Sequence, residues 1–355
     1  MSKRVSCRFL PIVFVLFFTA CPANEEADEY LRSLKISTIA IAPSDSIDLE
    51  QFNIYDVRRI EKFDDIFAIS YNKGDHCLAL LNPSTLVCRQ IVRRGRGPME
   101  MSGASSFHKS GNRGILYDWN SAVLIGIDIE RSFESGLAVM DTIVSFGSVA
   151  PRPYYLCKAG NGVVSGNVTD PEAWYSYFSN SGGVSSSVPV IGFSEIKGTG
   201  HDFLTSMMLS SIYAASPDGR KVCVANVSSA SISFSSLENG MLNEFKRYEM
   251  CPPAIVRKGS GIAFSSNASS CFHCISSDND DEVFLLYSGN PIKGKGVPAN
   301  ECSHLIIYGW DGIPRRHYNL TARISGFCFE DGKIYGCTSF PEARIYVFDV
   351  EAPER

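Results

Sequence analysis

The 355-residue chain carries 33 Lys and Arg against 38 Asp and Glu, a formal net charge of −5, and is 45% hydrophobic. The acidic balance excludes a general nucleic-acid binder, which needs a basic face, and the apolar content suffices for a sizeable core. No cofactor fingerprint is present in the sequence, so no cofactor is expected.

Lys3, Arg4 and Arg8 precede an apolar run from Phe9 to Phe18, and Phe18-Thr19-Ala20 leads into Cys21. This is the layout of a secretory signal. As a helix the run would span ~15 Å, half of a ~30 Å hydrocarbon core, so it reads as a signal and not a membrane span. The tetrad ending at Cys21 resembles a bacterial lipobox, whose cysteine becomes the lipidated N-terminus. The resemblance implies a signal peptide over 1–20 and a membrane anchor on Cys21; an ordinary signal followed by an incidental cysteine is the alternative. Residues 21–35, which open with Pro22-Ala-Asn-Glu-Glu-Ala-Asp-Glu29, are expected as an acidic flexible tether. Acidic residues behind a lipidated cysteine also resemble the surface-export signal of Bacteroidetes lipoproteins.

Residues 36–355 read as one all-β domain. A strand-like stretch, Ile36 to Ile54, comes first. Paired apolar runs follow at intervals of fifty to sixty residues: Asp65–Ile69 with Cys77–Asn82, Gly114–Tyr117 with Ala122–Asp128, and the weaker Gly162–Ser165 with Tyr175–Phe178. Next come the weaker Arg220–Ala225 with Ser231–Phe234, then Glu282–Tyr287 with His304–Tyr308. The last unit is the clearest: Ile324–Phe329, a turn at Asp331-Gly332, Lys333–Cys337 and Arg344–Asp349. Asp-Gly between two short apolar runs is a strong hairpin signal, because glycine takes the positive φ that such turns demand.

Six units at this spacing predict a six-bladed β-propeller of four-stranded blades, whose radial repetition leaves only short sheet edges. The final unit supplies three strands, so the N-terminal segment is expected to add the fourth and close the ring. A two-sheet sandwich of the same hairpins is the alternative architecture.

After the first unit stands Arg93-Arg94-Gly95-Arg96-Gly97-Pro98-Met99-Glu100. A Gly-Arg-Gly-Pro-x-Glu loop in this place resembles the six-bladed, TolB-like propeller lipoproteins of Bacteroidetes, and Ser216-Pro-Asp-Gly219 resembles a TolB-type blade turn. The resemblance implies the fold, lipidation and location in the cell envelope at the outer membrane, and no activity. Members often carry glycine where this chain has Met99, which puts the shape of that turn in question.

In a propeller the loop holding Arg93, Arg94 and Arg96 and the Ser288–Ser303 loop holding Lys293 and Lys295 share one face. Together they nominate an anion site there; solvated arginines on a glycine-shaped turn are the alternative. The run Ser276–Glu282 reads as a solvated acidic turn on the opposite face. Cys271, Cys274, Cys302 and His304 only partly match a zinc pattern, so no metal is expected. Without Cys7 and Cys21 ten cysteines remain; hairpin counting sets Cys328 diagonal to Cys337 and Cys77 diagonal to Cys88, too far for disulfides, so buried thiols are expected.

No nucleophile, base and carboxylate set is recognisable. The sequence therefore points to a non-enzymatic, envelope-anchored binding or scaffold lipoprotein. Its propeller face would take an envelope protein or an anionic glycan or peptide. A propeller hydrolase or lyase acting on polysaccharide is the rival reading.

Overall fold

In the computed structural model the Asp331-Gly332 turn has both residues at positive φ, 53° and 72°, and Glu330 faces Lys333 across it. Asn239-Gly240 repeats this geometry at 51° and 78°. These are type I′ turns, whose twist matches that of the strands they join. The structure describes residues 25–97, 99–147, 153–167, 170, 172–190, 210–249, 255–258, 261–277 and 282–350.

The described residues begin with helix α1 (Glu25–Ser33) and two short strands, β1 (Thr38–Ile41) and β2 (Asp45–Asp48). Blade 1 follows as β3 (Val57–Phe63), β4 (Ile66–Tyr71), β5 (His76–Asn82) and β6 (Val87–Arg93). Blade 2 is β7 (Ser106–Ser110), β8 (Arg113–Asp118), β9 (Val123–Asp128) and β10 (Met140–Ser145), with helix α2 (Ile129–Ser135) before its last strand. Blade 3 is β11 (Pro153–Ala159), β12 (Gly162–Asn167), β13 (Ala173–Ser179) and β14 (Val184–Pro189). Blade 4 is β15 (Ser211–Ala215), β16 (Lys221–Asn226), β17 (Ile232–Glu238) and β18 (Met241–Tyr248). A hairpin, β19 (Ile255–Lys258) and β20 (Gly261–Phe264), leads to blade 5: β21 (Phe272–Ser277), β22 (Glu282–Tyr287), β23 (Cys302–Gly309) and β24 (Pro314–Ile324). The last unit is β25 (Gly326–Glu330), β26 (Lys333–Thr338) and β27 (Arg344–Asp349).

The first strand of each blade is innermost, and each touches the next around a ring: β3 meets β7, then β11, β15, β21 and β25, and β25 returns to β3. Six hydrophobic clusters fill the six interfaces between neighbouring blades. Each sheet thus buries both faces against its neighbours, which is why the second and third strands read as nearly continuous apolar runs.

Closure follows the expectation. β2 pairs antiparallel with β27, Asp45 opposite Val347 and Asp48 opposite Arg344, and becomes the outermost strand of blade 6. β1 lies parallel to β24 as a fifth strand on blade 5, so one segment straps two blades.

Two expectations are corrected. The flexible tether over 21–35 does not hold from Glu25 onward, because that stretch forms α1. Tyr30 and Leu34, one helical turn apart, are buried between blades 4 and 5, and the Tyr30 hydroxyl meets that of Tyr308 at 3.0 Å. The register around Pro83-Ser84 also differs: Asn82 faces Val87 and Leu81 faces Cys88, so Cys77 lies four residues along its strand from Cys88's partner. The Asn82 side chain accepts the N–H groups of Ser84 and Thr85, which sets a four-residue turn instead of a two-residue one. Cys328 faces Tyr335 and Cys337 faces Gly326 as counted, and the nine described cysteines are free thiols.

Candidate functional site

An innermost strand leaves one row of backbone groups unpaired toward the channel. Here side chains of neighbouring strands and loops take several of them. Ser339 Oγ accepts the Val57 N–H at 2.6 Å, Ser106 Oγ that of Leu156 at 3.0 Å, and His108 Nε2 that of Lys158 at 3.3 Å. Alternate residues of the inner strands are therefore polar, and they line an axial cavity of about 850 Å³ open at the face of the blade-linking loops.

Arg58, Arg59 and Arg94 line this cavity, and Glu61 is the one carboxylate among its described lining residues. Arg58 pairs with Asp56 at 3.4 Å. Arg59 reaches across the channel from blade 1 to blade 5, donating to Cys274 Sγ and the Ile275 carbonyl. Arg94 donates to the carbonyls of Tyr71 and His76. Neither Arg59 nor Arg94 has a carboxylate partner among the described residues.

Burial pushes the Glu61 carboxyl up to about 7, against the pull of Arg59 and Lys109. Burial, with Arg59 and Lys158 nearby, brings His108 down to about 3, so it is neutral at physiological pH. His273, lowered to about 4 by burial, shares a hydrogen bond with Ser270.

At the rim Trp119 meets Tyr154 edge-on with centroids 5.7 Å apart, and Tyr154 meets Tyr155 at 4.6 Å. Tyr155 is 39% exposed and sits at φ +49° where the register of β11 slips between Tyr154 and Leu156. The bulge turns a strained aromatic residue outward at the cavity, as bulges beside binding sites do.

Of the residues the sequence nominated, Arg94 lines the cavity, as do Ile292, Ala299 and Asn300 of the Ser288–Ser303 loop. Both nominated loops thus reach one mouth. Arg93 lies exposed in β6 opposite His76, and Arg96 is exposed on its turn. Lys293 is exposed and donates to the Phe264 carbonyl, and Lys295 is exposed. None of these four is among the described lining residues. Cys21, and residues 278–281 of the acidic turn, lie outside the described residues. Cys271 packs between blades 4 and 5 and Cys274 and Cys302 between blades 5 and 6, while His304 Nδ1 meets His317 Nε2 at 3.1 Å.

The arginine loop is built on its own glutamate. Gly95 N–H donates to the Met101 carbonyl at 3.0 Å, Met101 N–H to that of Arg93 at 3.0 Å, and Glu100 accepts the Gly97 N–H at 2.9 Å. A Cβ on Gly95 would lie 1.9 Å from Glu100 Oε2, so a side chain there would displace the Glu100 carboxylate that braces the turn. Met99 takes φ +66°, the left-handed conformation that glycine adopts without strain.

Sequence reading missed Arg59, Glu61, His108 and Tyr155. The available signal was charge alternating with apolar residues in Val57-Arg-Arg-Ile-Glu-Lys-Phe63, unusual for a strand buried in a ring.

No protein-family model and no curated protein matches the chain. Among solved structures it is similar to a member of the DUF4221 family from Bacteroides vulgatus, at 7% identity over 88% of this chain and 98% of that one, TM-score 0.51. A protein from Bacteroides fragilis described only as exported has 11% identity over 90% and 95%, TM-score 0.48. The Cps50 (Swd1) β-propeller domain of Myceliophteria thermophila has 10% identity over 87% and 100%, TM-score 0.47. At such identities the likeness is one of fold. By its strand pairing and ring of contacts the chain is a six-bladed β-propeller with a cation-bearing cavity at one mouth of its channel.

Proposed function

We propose that this chain is a lipid-anchored envelope protein, held at the outer membrane through Cys21, whose propeller binds an anionic ligand at the channel mouth without transforming it. We place it with the TolB-like propeller lipoproteins that its Gly95–Glu100 loop resembles. The anchor rests on the signal layout ahead of Cys21.

One observation carries the binding reading: three guanidinium groups line the cavity against one carboxylate, Glu61, and burial keeps that carboxyl partly protonated at neutral pH. The local charge is positive in a chain of net negative charge, and low-dielectric walls strengthen its field. Glycoside hydrolysis uses two carboxylates across the scissile bond, and the described lining offers one.

The test is thermal unfolding of the full chain in detergent with acidic and neutral oligosaccharides and with peptides. A ligand at a hundred times its dissociation constant adds about 2.7 kcal/mol, so a rise of the melting temperature with acidic compounds alone is expected. Equal shifts with neutral compounds, or none, would overturn the reading. Cys21→Ser should move the protein from the membrane fraction to the soluble one.

A further inference from the structure

We propose that the cavity contains a carboxylate subsite formed by the Arg59 guanidinium and the Nδ1–H of His108, with the aromatic rim at Tyr154 and Tyr155 receiving the ring of the same ligand, an acidic sugar. This rests on the reading of the channel mouth as a ligand site and specifies its chemistry.

The His108 tautomer follows from geometry. Its Nε2 lies 3.3 Å from the Lys158 amide, a group that can only donate, so Nε2 accepts and the neutral ring carries its proton on Nδ1. That Nδ1 is buried and has no hydrogen-bond partner among the described residues. A buried donor left unmatched is costly. Arg59, on the adjacent inner strand, is close enough to disfavour a charge on His108, and it has no carboxylate partner among the described residues. Arg59 and His108 both line one cavity, and a ligand that reaches the shielded Nδ1–H finds there the two donors that a carboxylate's two oxygens accept.

The rest of the lining fits a polyol ring. Nine serines border the cavity and give it a polar wall suited to a ligand rich in hydroxyls. Tyr155 presents an exposed aromatic ring at the rim, held by its contact with Tyr154. A uronate combines these features: a ring with hydroxyls and one fixed carboxylate.

Glu61 makes the subsite sensitive to pH. It is faced by Arg59 on its own strand, by Lys109 of β7, by Cys328 and Glu330 of β25, and by Cys274 of β21, and His108 lines the same cavity. A bound carboxylate opposes ionisation of Glu61, so binding takes up a proton and weakens as pH rises past about 7.

The experiment is calorimetric titration of the full chain in detergent with digalacturonate and with its neutral counterpart, digalactose. Digalacturonate should bind at least about tenfold more tightly, as expected when a charge-assisted hydrogen bond is present. Arg59→Met and His108→Leu should each bring the affinity for digalacturonate down to that for digalactose. His108→Gln, whose amide can both accept from Lys158 and donate to the ligand, should restore the advantage. From pH 6 to pH 8 the affinity for digalacturonate should fall about tenfold, and Glu61→Gln should abolish the fall. Equal affinity for the two sugars, or an advantage that survives both Arg59→Met and His108→Leu, overturns the subsite and leaves the mouth as a ligand site. If neither sugar binds at millimolar concentration, the subsite falls, and the unfolding screen with acidic peptides decides whether the mouth is a ligand site.

Discussion

Replacing Glu61 with Gln should stabilise the propeller at alkaline pH and leave it unchanged in acid. The carboxyl releases its proton near 4.5 when the chain is unfolded and near 7 inside the channel, where burial outweighs the attraction of Arg59 and Lys109. Between those values the folded state holds a proton that the unfolded state has lost, so stability declines as pH rises through the window. A rise from 4.5 to about 7 corresponds to about 3 kcal/mol, present in full as a destabilisation above pH 8 and absent below pH 4. The amide keeps the shape of the side chain and can still accept the backbone N–H of Lys109. Urea unfolding of wild type and Glu61→Gln from pH 4 to pH 9 should give a difference near zero at the acid end that grows to about 3 kcal/mol and levels off. A difference that does not change with pH, or a wild type more stable than the variant at pH 8, would refute the account of Glu61.

His108 works in the opposite direction. It must stay neutral in the fold down to about 3, so wild type should lose several kcal/mol as pH falls below 6.5, and His108→Gln should flatten that loss in the same unfolding series. Tyr30→Ala removes the side chain that fixes α1 between blades 4 and 5, and should cost about 3–5 kcal/mol in chemical denaturation; a cost under about 1 kcal/mol would mean that the helix does not hold the ring. Met99→Gly relieves a left-handed methionine on an exposed turn and should stabilise by about 1 kcal/mol, read as a higher urea midpoint. Gly219→Ala would set a Cβ 2.3 Å from the Gly160 backbone nitrogen of the neighbouring blade, and should lower the melting temperature by more than its φ of +67° alone explains.

The propeller was legible because its signals are local. Asp331-Gly332 and the apolar runs flanking it announce a hairpin by turn chemistry alone, and the strand-like stretch ahead of the first unit supplies β2, which pairs with β27. Helix α1 was not legible, since acidic residues dominate its composition and the apolar pair Tyr30 and Leu34 covers little more than one turn. The cavity was half legible. Glycine and arginine in one loop mark a backbone that must turn tightly, and that loop does reach the mouth through Arg94. Arg59 and His108 sit on strands whose channel side becomes evident only once six blades are arranged in a circle. Their sequence neighbours carry no trace of Cys274 or Lys158, the groups they meet across blade boundaries.

The strap formed by β2 also sets the order in which the molecule can be completed. Ser44 meets Val347 across 303 residues, so the first segment of the domain to be made finds its partner last. Until then blade 6 has a bare outer edge and the ring an open seam, the kind of exposed strand on which incomplete β-proteins aggregate. Contacts this distant in sequence form slowly. Removing β2 or β27 would leave blade 6 with the same unpaired edge, because the two strands are halves of one clasp.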